Sequence, residues 1–331
     1  MRTTLARRAG LAVLAAAVIA TGAWAPAQGD QKVLDSIHFL IPGGAGGGWD
    51  GTARGTGEAL TKSGIVGSAS YENMSGGGGG KAIGYLIENA GSNHGTLMVN
   101  STPIIIRSLI GRFPHNFRDL TMIAGTIGDY AAIITGKNSA YEDFPALVAA
   151  FKEDPRSVSI GGGSVPGGMD HLVAALAFQA AGADPTRMKY IPYDAGGKLN
   201  AAILSGEVQA GSTGFSEAVD LVRAGEMRIL AVTSDERVAA FPDAPTLREQ
   251  GVDATFVNWR GFFGAPGLPE DKAALFRKAI AAMYGTPEWE AVRDRNGWVD
   301  IHNSGEDFAA FLENQEEVVK ELMQKLGFLG N

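Results

Sequence analysis

"FLIPGGAGGGWDGTARGTGEAL" spans Phe39–Leu60 and places five glycines among the six positions Gly43–Gly48. The apolar run Phe39–Ile41 leads in as a strand, and Thr52–Leu60 leads out with helical spacing. Glycine in such a turn costs conformational entropy, so a compensating use is expected: positive φ angles, or a ligand lying directly against backbone N–H groups. Three readings compete. Gly46-x-Gly48-x-x-Gly51, with Glu72 about 20 residues on, fits the dinucleotide fingerprint and would suit a nucleotide-dependent oxidoreductase. A phosphate loop is suggested by "SGGGGGKA", but Ser75 replaces its first glycine and Ala82 its metal-binding hydroxyl. The third is a carboxylate cradle, in which successive glycine N–H groups at a helix N-terminus form an anion-binding concavity.

Outward from this stretch the chain alternates short apolar strands with amphipathic helices. "IHFLIP", "GSASYEN", "GTLMVNST", "AAIIT", "VSIGGG", "MKYIPY" and "MRILAVTS" read as strands, and the alternation predicts parallel sheets flanked by helices. Helices are expected over Gly51–Ser63, Ala82–Asn89, Pro103–Ile110 and Met169–Ala181, and the chain after Lys272 reads as mainly helical. Gly, Ser, Thr and Asn collect just after strand ends, at Gly43–Gly48, Asn73–Gly80, Asn100–Pro103, Gly161–Gly168, Asp194–Gly197 and Gly211–Gly214. In open α/β sheets that edge holds the ligand.

The chain has 331 residues, 45% hydrophobic and 19% charged, which suits a globular protein with room for two domains. Arg2, Arg7 and Arg8 precede an apolar run over Leu11–Ala20, and Ala25-Pro26-Ala27 offers a small-x-small cleavage pattern. Residues 1–27 therefore read as a cleaved export signal with Gln28 as the mature start; Arg7-Arg8 matches a twin-arginine signal poorly. The absence of cysteine fits a periplasmic protein without disulfides or a lipid anchor. Loss of the three signal arginines takes the formal charge from −8 to −11, which disfavours nucleic acid and anionic membranes as partners. The glycine loops themselves carry almost no cations, Arg54, Lys81 and Lys198 being the nearest in sequence.

In order along the chain, "LIPGGAGGGWDGTAR", "YENMSGGGGG", "VNSTP", "GGGSVPGGMDHL", "YIPYDAGGKLNAAILSGEVQAG", "RILAVTSDERVAAFPDAPTLREQG" and "WRGFFGAPGLPEDK" resemble the motifs of tripartite tricarboxylate transporter substrate-binding proteins, the Bug family. The resemblance covers the whole mature chain. It implies a type II periplasmic binding-protein fold, with two doubly wound α/β lobes and a ligand cleft between them. Lobe 1 would comprise 28–129 plus 255–331, and lobe 2 130–254. It also implies capture of a small organic di- or tricarboxylate by a monomer, for delivery to the membrane components of such a transporter. Carried over by motif, the first loop supplies Gly44, Gly46, Gly47, Trp49 and Asp50, and the second Ser75 and Gly76. "VNSTP" supplies Ser101 and Thr102. The loop from the other lobe supplies Ser164, Gly167, Gly168 and His171, with Gly196, Gly197 and Phe215 completing the set. Trp49 and "NMSGGGGG" depart from the commoner family pattern.

Nothing in the sequence builds an enzyme. The five histidines have no metal-ligand spacing. Ser164 lacks the second glycine of a nucleophile elbow, because Pro166 occupies it. Asp50 and Asp170 read as helix caps, His171 as a capping or hinge residue that can also touch ligand, and Trp49 as a ligand-stacking or lid residue. Trp259, Phe262 and Phe263 are expected to pack a crossover between lobes. No cofactor and no metal is called for.

Overall fold

A computed structural model describes residues 32–111 and 113–329. The export signal over 1–27 and the start at Gln28 lie outside the described residues. In chain order the elements are β1 (Leu34–Ile41), α1 (Gly48–Lys62), β2 (Val66–Asn73), α2 (Gly80–Glu88), β3 (Thr96–Ser101), α3 (Pro103–Leu109) and β4 (Thr121–Gly136). Then come α4 (Phe144–Glu153), β5 (Ser159–Gly162), α5 (Met169–Ala180), β6 (Lys189–Pro192), α6 (Ala195–Leu204), β7 (Ala210–Gly214), α7 (Phe215–Arg223) and β8 (Met227–Val232). The chain closes with β9 (Val257–Gly264), α8 (Glu270–Tyr284), α9 (Pro287–Asn296), β10 (Val299–Ser304) and α10 (Glu306–Lys325).

The strands run in the order β2-β1-β3-β9-β4-β7-β5-β6, with β10 and β8 also paired on β4. β4 joins the two halves. Its first part pairs antiparallel with β9 and β10, and from Ala131 onward it pairs with β7 and β8. A strand buried along nearly its whole length, with partners on both sides, needs room where neighbouring side chains crowd it. Gly128 meets that need: a β-carbon there would lie 2.7 Å from Val257 and 2.8 Å from Val299.

The expected parallel pairing holds for β2-β1-β3 and for β7-β5-β6. It fails for β4, β8, β9 and β10, all antiparallel, because β4 and β9 carry the chain across the middle and back again. The chain after Lys272 is helical apart from β10. Its helices return to the first half: Phe276, Ile280 and Trp289 of α8 and α9 join the core beneath β1 and β3, and Phe308, Leu312 and Met323 of α10 cover the opposite face with α3. Trp259, Phe262 and Phe263 lie on β9 itself, fully buried in these two cores. Burying both faces of the central strands leaves the loops at the strand ends free to build a site.

Candidate functional site

Two turns of one design face each other across a cavity. In the first, the Gly47 N–H donates to Gly44 O at 3.4 Å, the Gly46 N–H to Asp50 Oδ2 at 3.0 Å, and the Gly51 N–H to Gly47 O at 2.9 Å. In the second, the Gly168 N–H donates to Val165 O at 2.8 Å, the Gly167 N–H to His171 Nδ1 at 3.0 Å, and the Leu172 N–H to Gly168 O at 2.9 Å. Gly46 and Gly167 sit at φ 75° and 77°, a region open to glycine and strained for other residues. Gly47 and Gly168 are extended caps that launch α1 and α5. Both helices thus present the positive end of their dipoles to the cavity.

This geometry corrects the expected donors. The N–H groups of Gly46, Gly47, Gly167 and Gly168 are all used inside the turns, because the tight turn satisfies them internally. Those of Gly44 and Trp49 on one side, and of Ser164, Val165 and Met169 on the other, have no acceptor among the described residues. Asp50 and His171 act from behind. Asp50 also accepts from Arg54 Nε at 2.8 Å and Asn73 Nδ2 at 3.1 Å. His171 stacks on Tyr190, and burial pushes its pKa down, so the neutral ring accepts at Nδ1 and carries its proton on Nε2.

The cavity holds about 300 Å³. From the first half come Pro42–Gly44, Gly47–Trp49, Ser75–Gly79, Ser101, Pro103, Ile106, Arg107 and Ile110. The second half supplies Gly163–Val165, Gly167–Asp170, Pro192–Ala195 and Glu217, and β9 adds Asn258 and Arg260. Trp49 is a fixed wall, its Nε1 donating to Ser101 Oγ at 2.8 Å. Across the mouth the Ser75 hydroxyl donates to Asp194. There too a β-carbon on Gly47 would lie 2.6 Å from that of Ala195, which stands at φ 68° as the one described non-glycine residue with positive φ. The two halves therefore approach closely here, Gly47 leaving room for Ala195.

Of the expected ligand residues, Gly44, Gly47, Trp49, Ser75, Gly76, Ser101, Ser164, Gly167 and Gly168 line this space. Others do not. Gly46, Asp50 and His171 shape the turns from behind, and Thr102 is buried with its N–H donating to Asn258 Oδ1. Gly196 and Gly197 pack against Glu217 and Ala45. Phe215 is a core residue, edge-on to Phe241. Its position directly after the β7 strand end suggests the cleft, but its ring turns inward. Arg54 is tied to Asp50, and neither Lys81 nor Lys198 lines the cavity; the cations on its wall are Arg107 and Arg260.

Arg260 is 1% exposed and stands 2.8 Å from Asp129 and 3.6 Å from Glu217. A β-carbon on Gly48 would overlap its guanidinium. In a dinucleotide fold that glycine clears space for pyrophosphate; here it clears space for Arg260. Burial pushes Glu217 up to about 7, against the pull of Arg260 and of N–H groups at Gly214 and Gly48. Burial likewise raises Asp129, and burial together with the Glu217 charge raises Asp170 well above the usual carboxylate range. Asp170 caps nothing: its N–H donates to Ser164 Oγ at 3.0 Å and its Oδ1 has no partner. Among the described residues no group of His, Asp and Glu could hold a metal ion, and no helix is long and apolar enough to cross a membrane.

The architecture is shared with known proteins. A Rhodopseudomonas palustris protein solved with adipate superposes with a TM-score of 0.80 at 20% identity, covering 90% of this chain and 99% of that one. MatC of the same organism, solved with bound malate, gives 0.77 at 18% identity, covering 87% and 98%. At this identity the likeness establishes the fold, that of periplasmic binding proteins. In sequence, a UPF0065 protein of Bordetella bronchiseptica is 26% identical over 291 residues, 87% of this chain and 84% of that one. Residues 53–328 match the family described as tripartite tricarboxylate transporter family receptor, and that extent of match shows that the chain belongs to this family of solute-binding receptors.

Proposed function

We propose that the protein is a periplasmic receptor that closes two lobes on a small organic carboxylate and presents it to the membrane components of a tripartite tricarboxylate-type transporter. The observation that carries this reading is the pair of matched turns, which aim the N-termini of α1 and α5 and their unused N–H groups into one cavity. An anion held there gains hydrogen bonds and two helix dipoles without a dedicated cation. Malate and adipate in the structural relatives support a carboxylate as the class. In this reading the lobes divide on β4 near Tyr130 and again just before β9; the change of β4 pairing from β9 to β7 beside Tyr130 supports that division. The basic and apolar N-terminus supports export.

The test is a thermal-shift screen of mono-, di- and tricarboxylates on the mature protein. A ligand at 100 times its Kd stabilises the fold by about 2.7 kcal/mol. A clear rise in Tm with at least one acid is expected, and no rise with any acid at millimolar concentration contradicts the reading.

A further inference from the structure

Of the two cations on the cavity wall, Arg107 and Arg260, Arg107 is the one that meets no carboxylate among the described residues. Arg54, Arg118, Arg260 and Arg295 each meet a carboxylate. Arg107, half-buried on α3, meets none: burial alone acts on its guanidinium, pushing its pKa down, and its Nε is buried without an acceptor. A half-desolvated cation without a counter-ion is costly and calls for a partner from outside the chain.

The surroundings hold it ready. The guanidinium lies over the Phe113 ring at 4.9 Å and donates through Nη1 to Gly77 O. A β-carbon on Gly80 would approach Nη2 to 2.7 Å, and one on Gly78 would approach Nη1 to 3.0 Å. The run Gly76–Gly80, which fails as a phosphate loop, thus serves to seat a guanidinium beside bare backbone. The cavity wall also carries the apolar side chains of Pro103, Ile106, Ile110, Val165 and Met169.

We propose that Arg107 receives a second anionic group of the ligand, beyond the one held at the two helix N-termini, so that the cleft selects molecules that carry two anionic groups over those that carry one. The proposal rests on the carboxylate-receptor reading and adds the residue that sets its selectivity. A guanidinium fixed by stacking and a carbonyl can pair with a carboxylate bidentately at little entropic cost.

Titration calorimetry on the mature protein tests it, using succinate, adipate and suberate against butyrate, hexanoate and octanoate. The wild type should bind its best diacid at least about tenfold more tightly than the monoacid of equal length, the worth of one charge-assisted hydrogen bond. Arg107→Gln should abolish that preference, the diacid losing at least about tenfold more affinity than the monoacid of equal length, and a cooperative thermal unfolding transition shows that the variant is folded. Arg107→Lys, which keeps the charge without the planar fork, should retain part of it. A diacid-to-monoacid ratio unchanged in Arg107→Gln, or an equal loss for both classes, overturns the role of Arg107 and leaves the receptor reading standing. Failure of every acid to bind the wild type overturns the receptor reading, and this proposal with it.

Discussion

Gly46 and Gly167 hold the same backbone conformation on opposite sides of one cavity, each donating its N–H to the side chain four residues on, Asp50 in one turn and His171 in the other. A carboxylate and a neutral imidazole thus do the same work. Each consumes the N–H of the positive-φ glycine and fixes the angle at which a helix N-terminus meets the cleft. The symmetry is one of backbone, and it leaves the chemistry of the two walls different, with Trp49 on one side where Asp170 stands on the other.

Gly167→Ala tests the turn. The added β-carbon meets nothing nearer than Phe328 at 3.9 Å, so its cost is the left-handed backbone itself, about 1–2 kcal/mol. Urea unfolding should show a loss of that size, together with weaker carboxylate binding. A midpoint equal to wild type contradicts the strained-turn account.

Gly47→Val tests closure. Its N–H is already used by Gly44 O, but its β-carbon would strike that of Ala195 across the cleft. The unliganded fold should keep its stability, while binding weakens by roughly 1.5–3 kcal/mol as the donors of the second lobe fall out of reach. Small-angle scattering should show contraction with ligand in the wild type and none in the variant. A variant with lost stability but intact affinity would mean that the glycine serves the turn alone.

The pH dependence follows from Glu217. Its pKa rises from 4.5 to about 7 on folding, so the folded state binds more protons over that window. This contribution to stability is fully present below about 4.5 and is lost as pH rises through 7, on the order of 3 kcal/mol in all. Glu217→Gln should flatten the fall in Tm between pH 5 and pH 8. An unaltered profile in the variant sinks this assignment.

Arg260→Met removes the cation shared by Asp129 and Glu217. Leaving those buried carboxyls unanswered should cost about 3–5 kcal/mol at pH 8, less at pH 5 where protons take its place. Chemical denaturation at the two pH values measures both. A loss of equal size at pH 5 and pH 8 would show that packing rather than charge makes the residue necessary.

Much of this was legible in the sequence. The strand–glycine–helix signature of Phe39–Leu60 located the first turn, and the ordered motifs implied a fold that the structural relatives share. The second turn misleads by eye. Gly47-Gly48-Trp49-Asp50 and Gly167-Gly168-Met169-Asp170 align by letters, but the backbone sets them off by one, pairing Asp50 with His171. Hence Asp170 reads as a cap and lies instead in the cavity wall. Glycine content announced close approach without saying to what: Gly48 makes way for Arg260, and Gly47 for Ala195. Long-range partners of that kind leave no local periodicity. Arg107 did carry a signal, a lone cation in the apolar run of α3, "PIIIRSL". The aromatic strand β9 hid within a chain segment that reads by its bulky side chains as packing.

The central claim is that one carboxylate is held by N–H groups from both turns. The most direct measurement is an amide proton–nitrogen NMR titration of the mature protein with the tightest-binding acid from the screen. Downfield shifts at Gly44 and Trp49 and at Ser164, Val165 and Met169 should rise together and saturate at one ligand concentration, with Gly46 and Gly167 moving little. Shifts confined to one turn, or centred on residues away from both, would contradict the account.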